Sequence, residues 1–160
     1  MRPIAGYPET GKDAWRKAND AIFEQAAKDF NTEYGLKPGD ARYIDPQLMK
    51  AWAMVESGGS KEQFLSDPFQ VNVADWAKAK SDLGLVKGKA PGPKLGTYAA
   101  LRWLDRKGHK TTVLKNGTKT TVYLGLARAF MRYNGNSRID KNGKPHYENY
   151  IAAIKKLHHS

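Results

Sequence analysis

Between Asp45-Pro46 and Gly58-Gly59 the chain has room for one short helix. An aspartate can cap the first turn, and proline is tolerated at the first helical position, where its missing N–H is not needed. Paired glycines stop the helix, because glycine takes the left-handed terminal conformation without steric cost. Leu48, Trp52 and Val55 fall at i, i+4 and i+7 and form one apolar stripe. The spacing therefore predicts a helix over 46–57 that lays a tryptophan against a core.

The same reasoning extends along the chain. Thr10 and Asp13 resemble a capping box, and apolar residues from Trp15 to Phe30 at helical spacing predict a helix over 11–34. Phe69, Val71 and Val73 alternate with polar residues and predict a brief strand. Asn72 and Asp75 are expected to cap a helix running to about Leu83. Residues 87–94 read as a loop, and 95–107 as a helix. Thr111 to Tyr123, threonine-rich on both sides of Asn116-Gly117, predicts a hairpin. Leu124 to Tyr133 reads as a buried helix, 134–145 as a polar loop, and Tyr147 to Leu157 as an amphipathic helix. With 160 residues the expectation is one domain, α+β and mainly α-helical, with 1–44 as a helical preface and 45–157 as the core.

Composition removes several classes. The chain has no cysteine, so disulfide scaffolds, cysteine zinc sites and cysteine nucleophiles are excluded. Among His109, His146, His158 and His159 no spacing resembles a metal site except the terminal pair, which reads as solvent-exposed, and the expectation is no metal and no cofactor. No apolar run approaches the roughly eighteen residues of a membrane span, so no membrane insertion is expected. Met1 to Gly6 lacks an apolar leader core, which predicts synthesis in the cytoplasm without a cleaved signal. Net charge is +11 and unevenly placed: residues 1–80 carry eleven basic against twelve acidic side chains, residues 81–160 sixteen against four. Such a field concentrates polyanions, whether nucleic acid, anionic lipid or bacterial wall polymers.

Glu56 stands out among the carboxylates. On the helix its neighbours at i−4 and i−7 are Trp52 and Met49, and it sits in the last turn, where the helix dipole is negative. Both features disfavour the ionised form. A carboxyl that keeps its proton near neutrality can serve as a general acid. A solvent-facing glutamate near a helix end is the plainer alternative.

Met54 to Gly59, MVESGG, resembles the catalytic segment of the lysozyme-like superfamily, in the branch of soluble lytic transglycosylases and goose-type lysozymes. Ser66-Asp67-Pro68-Phe69-Gln70-Val71 falls where that family carries a loop entering a strand. Arg132-Tyr133-Asn134-Gly135-Asn136 is similar to its Ala-Tyr-Asn-x-Gly motif, and Leu95 to Leu104 to its Gly-x-x-Tyr-Leu helix. The order agrees over about 45–157. Asp67-Pro68-Phe69 replaces the family's glycine and methionine, and the hairpin has no counterpart in the common pattern.

The resemblance implies a lysozyme-like fold and cleavage of the β-1,4 bond between N-acetylmuramic acid and N-acetylglucosamine in peptidoglycan. Glu56 would be the general acid, with Ser57, Gln70, Tyr133 and Asn134 contacting substrate. Two routes stay open. Either Glu56 also accepts the muramyl 6-hydroxyl proton and an anhydro end forms, or a second carboxylate directs water. Asp67 is the first candidate for that carboxylate and Asp75 the next, although Asp67 before Pro68 is equally an ordinary turn residue. Trp103 and Tyr98 lie on a helical stripe and read as core rather than sugar platforms. The expected setting is the periplasm or cell wall, for a monomeric antibacterial effector or phage endolysin. An effector would need an acidic immunity protein seated in its cleft. The alternatives are a non-catalytic cationic wall-binding domain and, against the absence of any zinc-finger, RRM or P-loop signature, a nucleic-acid-binding domain.

Overall fold

The computed structural model describes residues 1–72 and 76–160. Six α-helices are placed among them: α1 (Asp20–Glu33), α2 (Pro46–Ser57), α3 (Lys61–Ser66), α4 (Gly92–Gly108), α5 (Leu126–Asn134) and α6 (His146–His158). Two 3-10 helices, Gly11–Lys17 and Lys78–Leu83, precede α1 and α4. Strands β1 (His109–Val113) and β2 (Lys119–Tyr123) pair antiparallel, His109 opposite Tyr123 and Val113 opposite Lys119. The class is α+β and mainly helical. None of the described helices is long and apolar enough to cross a membrane.

Helix α2 forms as its sequence predicts. The Asp45 carboxylate accepts the Gln47 amide at 3.0 Å, with Pro46 in the first turn. The helix lies at the centre, packed against α1, α3 and α6, while α4 packs against α1, α3 and α5. Met49, Ala51, Trp52, Ala53 and Met54 are all buried. One core joins them to Phe23 and Phe30 of α1, Phe64 of α3, Leu101 and Leu104 of α4, Phe130 of α5 and Ile154 of α6. Residues 1–44 therefore share the core of 45–157: Ile4, Phe23, Ala26, Ala27, Phe30 and Ile44 all belong to it.

Several local expectations are corrected. The 11–34 segment is two helices, because Asn19 turns inward and donates to the Phe64 carbonyl at 3.0 Å, while Trp15 packs edge-on against Phe64. The Thr10 side chain caps nothing; its carbonyl accepts the Asp13 amide. Gly58 ends α2 in a right-handed conformation, φ −62°. Glycine is required there by close approach, since a Cβ would meet Tyr7 Cε1 at 2.8 Å and the Met54 carbonyl at 2.6 Å.

Phe69 and Val71 are buried in turns, not in a strand, while Val73 and Asp75 lie outside the described residues. Asn72 caps no helix; its amide bridges the Val86 and Lys89 carbonyls at 2.8 and 2.5 Å. Helix α4 starts at Gly92, earlier than expected, with Pro93 accommodated in its first turn. Helix α5 buries only Ala129 and Phe130, and its Arg128 and Arg132 are exposed. The hairpin forms, with Leu114 and Thr118 closing its loop through a 2.7 Å bond. His158 is half-buried rather than free in solvent: its Nε2 lies 2.7 Å from the Asp45 carboxylate and ties the end of α6 to the start of α2.

The N-terminal segment is held by charge as well as packing. The fully buried Lys50 ammonium pairs with Glu9 and with Asp20, the latter at 2.9 Å. Removing one partner of a buried pair leaves uncompensated charge, which typically costs about 3–5 kcal/mol. Lys50→Ala is expected to lower stability in urea unfolding by about 3 kcal/mol. A loss below about 1 kcal/mol would mean that water already solvates the two carboxylates.

Candidate active site

The site grows outward from Trp52. Its indole is 1% exposed and stacked among three rings: Phe69 at 4.3 Å between centroids, Tyr133 at 4.9 Å and Phe130 at 5.4 Å. These rings come from the 67–72 turn and from α5, so one side chain of α2 gathers both. Its Nε1 donates to the Tyr150 hydroxyl of α6 at 2.6 Å. The Tyr150 hydroxyl lies close enough to the carboxylate of Glu56, one helical turn after Trp52, to favour its charged form.

Glu56 is partly buried by this apolar setting. Burial pushes its carboxyl up to about 7, against an ordinary value of 4.5; the Tyr150 hydrogen bond opposes the shift and the negative charge of Asp67 adds to it. The carboxyl also lies in the last turn of α2, where the dipole disfavours an anion. It can therefore carry a proton at neutral pH and release it without a large penalty.

Asp67 is 4% exposed and has both oxygens engaged. One accepts the Val71 amide at 3.1 Å, the other the Asn72 amide at 2.9 Å. Its backbone carbonyl accepts the Gln70 amide at 2.9 Å and the Gln70 side chain at 2.6 Å. Gln70 is thereby held at φ 51°, the sole non-glycine residue in the left-handed region among the described residues. Burial raises the Asp67 pKa, while the amides of Asn72 and Val71 and the charge of Lys80 pull it back.

The remaining predicted site residues divide by what they touch. Ser57 is buried, and its hydroxyl donates to the Pro68 carbonyl at 2.6 Å, tying α2 to the turn. The Tyr133 hydroxyl donates to the Phe69 carbonyl at 2.7 Å, tying α5 to the same turn. Burial and the neighbouring charge of Glu56 hold that hydroxyl protonated well above its ordinary range. Asn134 ends α5, its side-chain oxygen accepting the Asn136 amide at 3.1 Å. Gln70, Tyr133 and Asn134 line a cleft of about 260 Å³ together with Lys80, Lys107 and Arg132. Glu56 is not in that lining; Tyr133 lines the cleft and lies near enough to Glu56 to sense its charge.

Tyr150 and Lys80 are the members that sequence reasoning missed. Tyr150 sits 98 residues from Trp52 and reads in sequence only as part of a core stripe. Lys80 is 6% exposed, donates to the Val71 carbonyl at 2.7 Å and lies 5.3 Å from the Trp103 ring centroid. Trp103 is mostly core, as its stripe predicts, but one edge lines the cleft. The Tyr98 hydroxyl is bonded to Asp29 at a different surface. No cluster of three or more histidine or acidic side chains among the described residues is placed to hold a metal ion.

Compared with family models, curated proteins and solved structures, the chain finds no significant match.

The raised Glu56 pKa has a consequence for stability. Below pH 4.5 the carboxyl is protonated in both folded and unfolded chains. As pH rises the unfolded chain ionises first, so the folded state loses relative stability until pH passes about 7. Glu56→Gln removes that loss. It is expected to be about 3 kcal/mol more stable relative to the native protein at pH 8 than at pH 4, read by urea unfolding at both values. An unchanged difference would contradict the desolvated carboxyl.

Proposed function

We propose that the protein cleaves the glycan strands of peptidoglycan at the β-1,4 bond following N-acetylmuramic acid, on a lysozyme-like arrangement with Glu56 as general acid. The observation that carries this reading is a partly buried glutamate raised to about 7, near Tyr150 and near Tyr133, which lines a polar cleft. The order of the segments resembling the lysozyme-like superfamily supports it: MVESGG at the end of α2, the 66–71 turn, and Tyr133-Asn134 at the end of α5.

Cleaving a glycosidic bond requires a proton on the departing oxygen, because an alkoxide leaves poorly. Glu56 supplies it. The carboxylate so formed is steadied by the Tyr150 hydroxyl. It can then accept the proton of the muramyl 6-hydroxyl as that oxygen bonds to C1. The C1–O bond to the next sugar breaks, an internal C1–O6 bond forms, Glu56 ends protonated, and no water is consumed. The state of Asp67 favours this one-carboxyl route over hydrolysis. With both oxygens on backbone amides and 4% exposure, Asp67 serves the turn and lends charge to Glu56 rather than directing a water. Gln70 and Asn134 line the cleft and would contact sugar, while Ser57 and Tyr133 bond to the turn that carries Gln70.

Mass analysis of muropeptides released from purified sacculi tests the reading. The native protein is expected to release anhydro-muropeptides, and Glu56→Gln to release at least about a hundredfold less, as loss of a general acid does. Reducing ends would restore the two-carboxylate route. Release that survives the substitution would end the assignment of Glu56.

A further inference from the structure

The polar cleft does not stop at Asn134. A second and larger hollow, about 550 Å³, is lined by Trp103, Arg106, Lys107, Met131, Arg132, Ser137 and Tyr147 as well as Gly135. Trp103, Lys107, Arg132 and Gly135 belong to both linings, so the two hollows adjoin as a groove along α4 and α5. Among the described residues its free charge is of one sign: Arg106, Lys107 and Arg132 line it, and no described carboxylate does.

The geometry of these cations is ordered. Arg106 and Lys107 lie 5.5 and 4.8 Å from the Trp103 ring centroid, against its face. Arg132 reaches back to the carbonyl of His109 at 3.2 Å, which holds its guanidinium beside the α4 terminus. Cations fixed by aromatic stacking and backbone bonds lose little freedom when an anion arrives. Trp103 and Tyr147 also give the groove an apolar floor, which plain counter-ion binding does not need.

We infer that this groove is a subsite for the carboxylate-bearing stem peptides of the glycan substrate, an inference that rests on the proposed glycan cleavage. The sugar backbone of such a strand is poor in charge, and the acidic groups sit on the peptides that branch from it. A strand running past Tyr133 and Asn134 would bring a stem over Lys107 and Arg132. Arg106 lines the outer hollow and not the inner one, and would face the distal part of that stem. Complementary charge then selects strands that bear acidic stems over neutral amino-sugar polymers.

Binding separates this subsite from catalysis. Fluorescence anisotropy of labelled glycan strands carrying uncross-linked stems is compared with the same strands after carbodiimide amidation of their carboxylates. The native protein is expected to bind the acidic strands about tenfold more tightly at low salt. Arg106→Gln/Arg132→Gln, both changes at exposed positions, is expected to shrink that gap to less than about threefold, with melting curves showing the variant folded. Equal binding of the two strands by the native protein would overturn the inference, as would a gap that survives in the variant or an oligonucleotide bound more tightly than the acidic strands. Discrimination without muropeptide release would sink the catalytic reading and leave the subsite standing. Release without discrimination would do the reverse.

Discussion

Everything at the site is referred to the indole of Trp52. Its faces and edges take Phe69 from the turn, and Phe130 and Tyr133 from α5, while its N–H fixes Tyr150 of α6. Three parts of the chain far apart in sequence thus meet one side chain of the central helix. Burying an aromatic of this size supplies several kcal/mol, about 3–5 on typical truncation data. It also removes water from the place where Glu56 stands, so the desolvation that raises Glu56 and the packing that stabilises the fold have a common origin. A site that holds a carboxyl away from its preferred ionisation gives up stability for chemistry, a common compromise at functional positions.

The turn at 67–72 carries the second constraint. It is buried, so each backbone group needs a partner. Asp67 takes two amides, Lys80 takes the Val71 carbonyl, Tyr133 the Phe69 carbonyl and Ser57 the Pro68 carbonyl. Three of these side chains, Asp67, Tyr133 and Ser57, are polar groups that a sequence reader would assign to substrate or catalysis. Here they build a rigid wall, and the strained Gln70 at its edge is what that wall presents to the cleft. The two acids consequently differ in kind: Glu56 is partly buried beside the neutral hydroxyl of Tyr150, and Asp67 is buried with both oxygens on backbone amides.

How much of this was legible beforehand follows from where the information lay. Local signals carried α2, the hairpin and α6, since capping, Asn-Gly turn chemistry and apolar period are properties of neighbouring residues. The candidate acid was legible too, because its burial follows from Trp52 at i−4 and its place in the last turn. The 69–71 segment misled because alternating burial in a pinned turn has the same period as a strand. The break at Asn19 was hidden because its partner, the Phe64 carbonyl, lies 45 residues away. Tyr150 was invisible as a site residue for the same reason. Asp67 was ambiguous for a different one: a turn aspartate and a catalytic aspartate look alike until their oxygens are placed.

The charge asymmetry of the sequence also acquires a location. Part of the excess of the second half lines the groove between α4 and α5, beside the proposed cleft, rather than being spread evenly as a solvated coat. The account still stands or falls on a single proton. Observing the side-chain carboxyl carbon of Glu56 by NMR as pH is varied measures its ionisation directly. The desolvated carboxyl is expected to titrate near 7. A midpoint at 4.5, the ordinary value for glutamate, would show a solvated side chain and contradict the general acid at the centre of the account.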